Sequence, residues 1–219
     1  MKYWLIRHMQ ENRYFYIPLA IFYAFGIFRV YGYSKIDNHL FFNQLVGNPY
    51  TDWFFRYLTH LGDGLFLILV VILWVFKNIR ESALLLCSYA VAGGLTAVLK
   101  NYVFDEARPH FVFDYYHKDI FVKYVDGVEI LALNSFPSGH STAAFVLFSF
   151  IAFHLKNPLH QLTMSVFAIL VAFSRVYLSQ HWLNDILAGS FIGLTITTFF
   201  YYLFKTKSFL EKMNKSILD

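Results

Sequence analysis

The chain contains a single cysteine, Cys87, in 219 residues. One thiol excludes an intramolecular disulfide, and Cys87 lies within an apolar run that suggests neither a thiolate metal site nor a cysteine redox centre. Charge is also scarce: 15% of residues are charged and 58% are hydrophobic, against about 25% charged in an ordinary soluble domain. An integral membrane protein is therefore predicted. The basic stretch 1–13 leads into an apolar run with no small-residue cleavage site behind it, so that run reads as a retained helix and not a removable leader. No low-complexity tract, charge block, linker or repeat divides the sequence, and a single domain over 1–219 is expected.

A bilayer-spanning helix needs roughly 20 mostly apolar residues. Six runs approach that length, near 14–33, 57–76, 82–100, 140–155, 160–179 and 184–204. The predicted fold is all-α, a polytopic bundle of six transmembrane helices, with Arg29 near the end of the first run and able to snorkel toward the interface. Six spans place both termini on one side with ten of the 18 Lys and Arg, which makes that side cytoplasmic and turns the polar clusters outward. Segment 34–56 contains a short amphipathic stretch, 36–46, suited to the interface. The long connection 100–136 carries Val125-Asp126-Gly127-Val128, the composition of a hairpin turn, and 205–219 reads as a solvated cytoplasmic tail. Small residues, Gly189 and Gly193 in the last run and Gly93 and Gly94 in the third, predict close helix packing.

Three polar clusters interrupt these apolar runs between residues 100 and 185, and membrane-embedded chains rarely carry such groups without a use. One is Lys100 with Arg108. The second is Pro137-Ser138-Gly139-His140, and the third combines Ser174-Arg175 with His181 and Asp185. Helix from Gln180 onward would put His181 and Asp185 on one face, so that the carboxylate fixes one imidazole nitrogen and leaves the other free. Lys100, Arg108 and Arg175 could surround a phosphate. Ser138 and the amides of 138–140 would lie at a helix start that favours an anion, with Gly139 permitting close backbone approach. His140 is then the candidate acid for the departing oxygen. The chemistry suggested is phosphate-ester hydrolysis at a membrane surface, with no metal or cofactor demanded and no nucleic-acid partner indicated.

These blocks resemble the signature of the type 2 phosphatidic acid phosphatase superfamily, which includes lipid phosphate phosphatases and the vanadium haloperoxidases. The second and third blocks match its pattern; the first has seven residues between Lys100 and Arg108 in place of six, which suggests a local bulge or a different lysine geometry. The resemblance, covering roughly Lys100 to Gly193, implies a six-helix core and a phosphohistidine on His181. It also implies that Asp185 orients His181, that His140 protonates the leaving group, and that Lys100, Arg108, Ser138, Gly139 and Arg175 hold the phosphate of an envelope lipid. Competing readings are a membrane transporter, which would place polar groups at mid-depth in several helices, and a non-catalytic phospholipid-binding protein. Substrate discrimination is expected in 34–56 and 110–136, through Phe111, Phe113, Tyr115 and Tyr116 and through His117 or Lys118. His60 and Asp63 are read as interfacial or structural.

Overall fold

A computed structural model describes residues 2–129 and 131–205, and the predicted tail beyond 205 lies outside them. The described residues form ten α-helices and no strand. In order they are α1 Lys2–Glu11, α2 Arg13–Gly32, α3 Lys35–Asn43, α4 Pro49–Leu58, α5 Gly64–Val75, α6 Ile79–Val98, α7 Pro109–Tyr116, α8 Gly139–Phe153, α9 Pro158–Tyr177 and α10 Leu183–Lys205. Among them, α2, α6 with its extension to Val103, α9 and α10 are long and apolar enough to cross a membrane. Helices α4 and α5, joined by a 3-10 turn at Thr59–Gly62, form one further apolar unit bent by 55°. Helix α8, at 15 residues, falls short of full span length.

The architecture follows from side-chain size. Helix α8 is almost wholly buried and packs against α10, α9 and α6. A Cβ at Gly189 would collide with the Ser138 carbonyl and one at Gly193 with that of Thr142, so these two glycines set the approach of α10 to α8. Gly93 and Gly94 do not serve this purpose: a Cβ at Gly94 would meet nothing within 4 Å, and one at Gly93 only Tyr89 of its own helix. Asparagines open several helices, as where the Asn78 side chain accepts from Arg80 and Glu81 amides and that of Asn157 from Leu159 and His160.

Three local expectations change. Arg29 does not snorkel; it is buried, donates from Nε to Asn38 Oδ1 at 2.9 Å and lies over the Tyr33 and Phe41 rings, locking α3 to α2. The 125–128 segment is a tight turn with Gly127 at φ +71°, but it joins no strands. The connection 100–136 contains helix α7, started by Pro109 at its first position. The amphipathic stretch at 36–46 corresponds to α3, capped by Ser34.

Candidate active site

The three polar blocks converge at one end of the bundle. Helix α9 ends at Tyr177, and the chain turns through Ser179, whose φ is +55°. In that turn the Gln180 and His181 amides both donate to the Arg175 carbonyl. His181 therefore precedes α10 instead of lying within it, contrary to the helical expectation from Gln180. The pairing survives: His181 Nδ1 is 3.2 Å from Asp185 Oδ2. Asp185 Oδ2 also accepts the Trp182 amide at 2.9 Å and the Ser135 hydroxyl at 2.5 Å. His181 and Asp185 are 2% and 0% exposed, and no hydrogen bond engages His181 Nε2 among the described residues. Burial first, and then the charges of Arg108, Arg175 and Lys100, hold the His181 imidazole well below its ordinary pKa. A neutral ring is a competent nucleophile.

Ser138 caps α8, its hydroxyl oxygen accepting from the Ser141 amide and hydroxyl. Its own amide donates to the Asp185 carbonyl at 3.0 Å, tying the second block to the third. That amide is thus unavailable to a ligand, and the donors left at this helix start among the described residues are the Gly139 and His140 amides and the Ser138 hydroxyl proton.

Arg108 is buried and donates from Nη1 to both the backbone and side-chain oxygens of Gln180 at 3.1 Å, and from Nε to the Leu133 carbonyl. Arg175 donates from Nη1 to Thr59 Oγ1 at 2.7 Å, while its buried Nε has no partner. A buried guanidinium with an unpaired donor is costly unless an anion completes it. Lys100 lies in a π-helical turn, Leu99–Val103, where the Phe104 amide reaches the Leu99 carbonyl five residues back. Such a turn is a local bulge in the helix, of the kind that the seven-residue separation from Arg108 suggests.

His140 and Arg175 line a cavity of about 390 Å³, whose walls include Arg56, His60, Asp63 and Glu129. Asp63, read as interfacial or structural, pairs with two histidines here: its Oδ1 is 2.6 Å from His140 Nε2 and its Oδ2 is 2.8 Å from His60 Nδ1. The sequence signal was its position between two glycines, Gly62 and Gly64, within an apolar run. Phe113 is 2% exposed beneath Trp182 and His39, so it cannot meet a lipid; Tyr115 and Tyr116 are exposed.

Two carboxylate-paired histidines thus meet at one end of a bundle of membrane-length apolar helices, and the relatives of the chain mark it as a phosphoric ester hydrolase. The chain belongs to the PAP2 superfamily, whose family model matches residues 81–209. It is 30% identical over 185 residues to phosphatidylglycerophosphatase B of Bacillus subtilis, covering 78% of this chain and 81% of that protein. It is 29% identical to a lipid A 1-phosphatase of Rhizobium etli, covering 62% and 64% respectively. Among solved structures, LpxE of Aquifex aeolicus superposes with a TM-score of 0.65 at 22% identity, covering 76% of this chain and 94% of LpxE. That likeness supports the fold.

Proposed function

We propose that the chain removes a phosphate, as monoester or pyrophosphate, from an envelope lipid such as undecaprenyl pyrophosphate, lipid A, phosphatidylglycerol phosphate or phosphatidic acid. His181 Nε2 attacks phosphorus as the P–O bond to the lipid breaks. The departing oxygen takes a proton from His140, and Asp185 stabilises the charge developing on His181. Lys100, Arg108 and Arg175, with the Ser138 hydroxyl and the Gly139 and His140 amides, hold the non-bridging oxygens. Water, giving a proton to His140, then cleaves the P–N bond; inorganic phosphate leaves and both histidines return to their starting states. The observation that carries this reading is the His181–Asp185 pair, with Nε2 uncommitted among three cations.

In this reading the protein lies in a bacterial inner membrane as one domain with six spans, the bent α4–α5 unit and the short α8 completing the count. Its termini are cytoplasmic and its site is outward. Concentration of the site residues near the first turns of α8 and α10 and the last turn of α9 supports a site at one face over a path through mid-membrane. The test is phosphate release by detergent-purified protein from a panel of those four lipids, with chelator present and His181→Ala as control. Release that the control lacks is expected; no release from any of the lipids refutes the proposed activity.

A further inference from the structure

We propose that Asp63 is the positioning residue for His140, holding Nε2–H so that the protonated ring presents Nδ1–H to the departing oxygen; this deepens, and rests on, the phosphatase reading above. Asp63 lies outside all three sequence blocks and outside the matched region 81–209. It occupies the break between the 3-10 turn and α5, where the bent unit turns by 55°. The glycines on both sides make that position possible. A Cβ at Gly62 would approach the His140 carbonyl and Val171 Cγ1 at 2.9 Å, and one at Gly64 would collide with the Tyr89 hydroxyl. The break is therefore pressed against the first turn of α8, with Asp63 Oδ1 at 2.6 Å from His140 Nε2. Thr59 of the same 3-10 turn holds Arg175, so one element docks on both the acid and an anion-binding arginine.

The chemistry requires such a partner. The charged groups acting on His140 are Asp63 from the break, Arg175 from α9 and Lys100 from the π turn, with His60 on the far oxygen of Asp63. Two of these are cations that oppose an imidazolium. Burial opposes it as well; Asp63 is the carboxylate facing it, and a carboxylate on one nitrogen orients the ring and offsets part of what burial and the two cations take from its protonated form. Asp63 and His140 thus mirror Asp185 and His181: one carboxylate serves the acid, the other the nucleophile.

A residue acting through a leaving-group acid matters only when the leaving group needs a proton. Turnover of short-chain phosphatidic acid, which releases an alkoxide, is compared with that of p-nitrophenyl phosphate, which releases a stabilised phenolate. Asp63→Asn is expected to lower kcat roughly 30-fold or more on the alkyl ester and about threefold or less on the aryl ester, the former being part of the roughly 10²–10⁴-fold that general acid catalysis supplies. His140→Ala should show the same asymmetry, and the double variant should lose no more than His140→Ala alone. The basic limb of the alkyl-ester pH profile should move to lower pH in Asp63→Asn. Asp63→Glu, which keeps the charge but displaces it by one methylene, covers the case in which Asp63→Asn does not fold, and should give the same asymmetry at smaller amplitude. Equal losses on the two esters, or losses that multiply with those of His140→Ala, overturn the proposal. The phosphatase reading is judged separately, by wild type against His181→Ala on the same esters.

Discussion

The Ser135 hydroxyl donates to Asp185 Oδ2 at 2.5 Å, and that same oxygen faces His181 Nδ1 at 3.2 Å. Ser135 thus anchors the carboxylate that orients the proposed nucleophile, and a buried carboxylate deprived of a donor is both less stable and less well aimed. Ser135→Ala is expected to lower kcat about tenfold with little change in KM, since the phosphate-holding groups are untouched. A lowered melting temperature should accompany it. A change confined to KM would contradict the assignment.

Asp185→Asn tests the pair itself. The amide keeps the size of the side chain but lets His181 take the wrong tautomer, so kcat should fall by about 10² to 10⁴, while binding of the phosphate mimic vanadate weakens much less. Titration of both forms with vanadate, read against turnover, separates the two quantities. Unchanged turnover would remove Asp185 from its orienting role.

The same pair shows what could be read from the chain alone. Helix class and the approximate positions of α2, α6, α8, α9 and α10 followed from apolar run length, whereas the 57–76 run is broken at Thr59–Gly62; the three blocks stood out because charges inside apolar sequence are costly, and the fold brings them together. Tertiary placement was less accessible. Asp63 looked unremarkable because its partner is far along the chain at His140, and only the break between Gly62 and Gly64 makes them neighbours. Arg29 was misread for a related reason: its partners Asn38 and Phe41 lie beyond the turn that follows its helix. The spacing of Lys100 and Arg108 raised the question of a bulge, and a π turn is found at Lys100 itself.

Gly189 supports a prediction about packing. Ser138, whose carbonyl a Cβ there would strike, also donates its amide N–H to the Asp185 carbonyl. Gly189→Ala should therefore push α10 from α8 and loosen the link between the second and third blocks. The expected result is a lower melting temperature, by several degrees for a loss of about 1–3 kcal/mol from overpacking, together with reduced turnover. Gly94→Ala, at a position with open space, should show neither effect. Equal behaviour of the two variants would show that α8–α10 contact does not set the site.

Finally, His181 gives stability a pH dependence with a defined sign. Burial and neighbouring cations hold its folded-state pKa well below the value of about 6.5 expected in the unfolded chain. The unfolded chain then binds the proton more readily than the folded one. The contribution is present in full above pH ~6.5 and is progressively lost as pH falls below it, toward the folded value. Melting temperatures of wild type should therefore drop more between pH 7.5 and 5 than those of His181→Gln, which has no proton to take up. His39, pushed down to about 4 by burial, adds a drop in the same direction, but it is present in both proteins and cancels in the comparison. Parallel curves for the two proteins would mean that His181 is as easily protonated in the fold as outside it. That would remove the electrostatic basis for a neutral nucleophile among Lys100, Arg108 and Arg175.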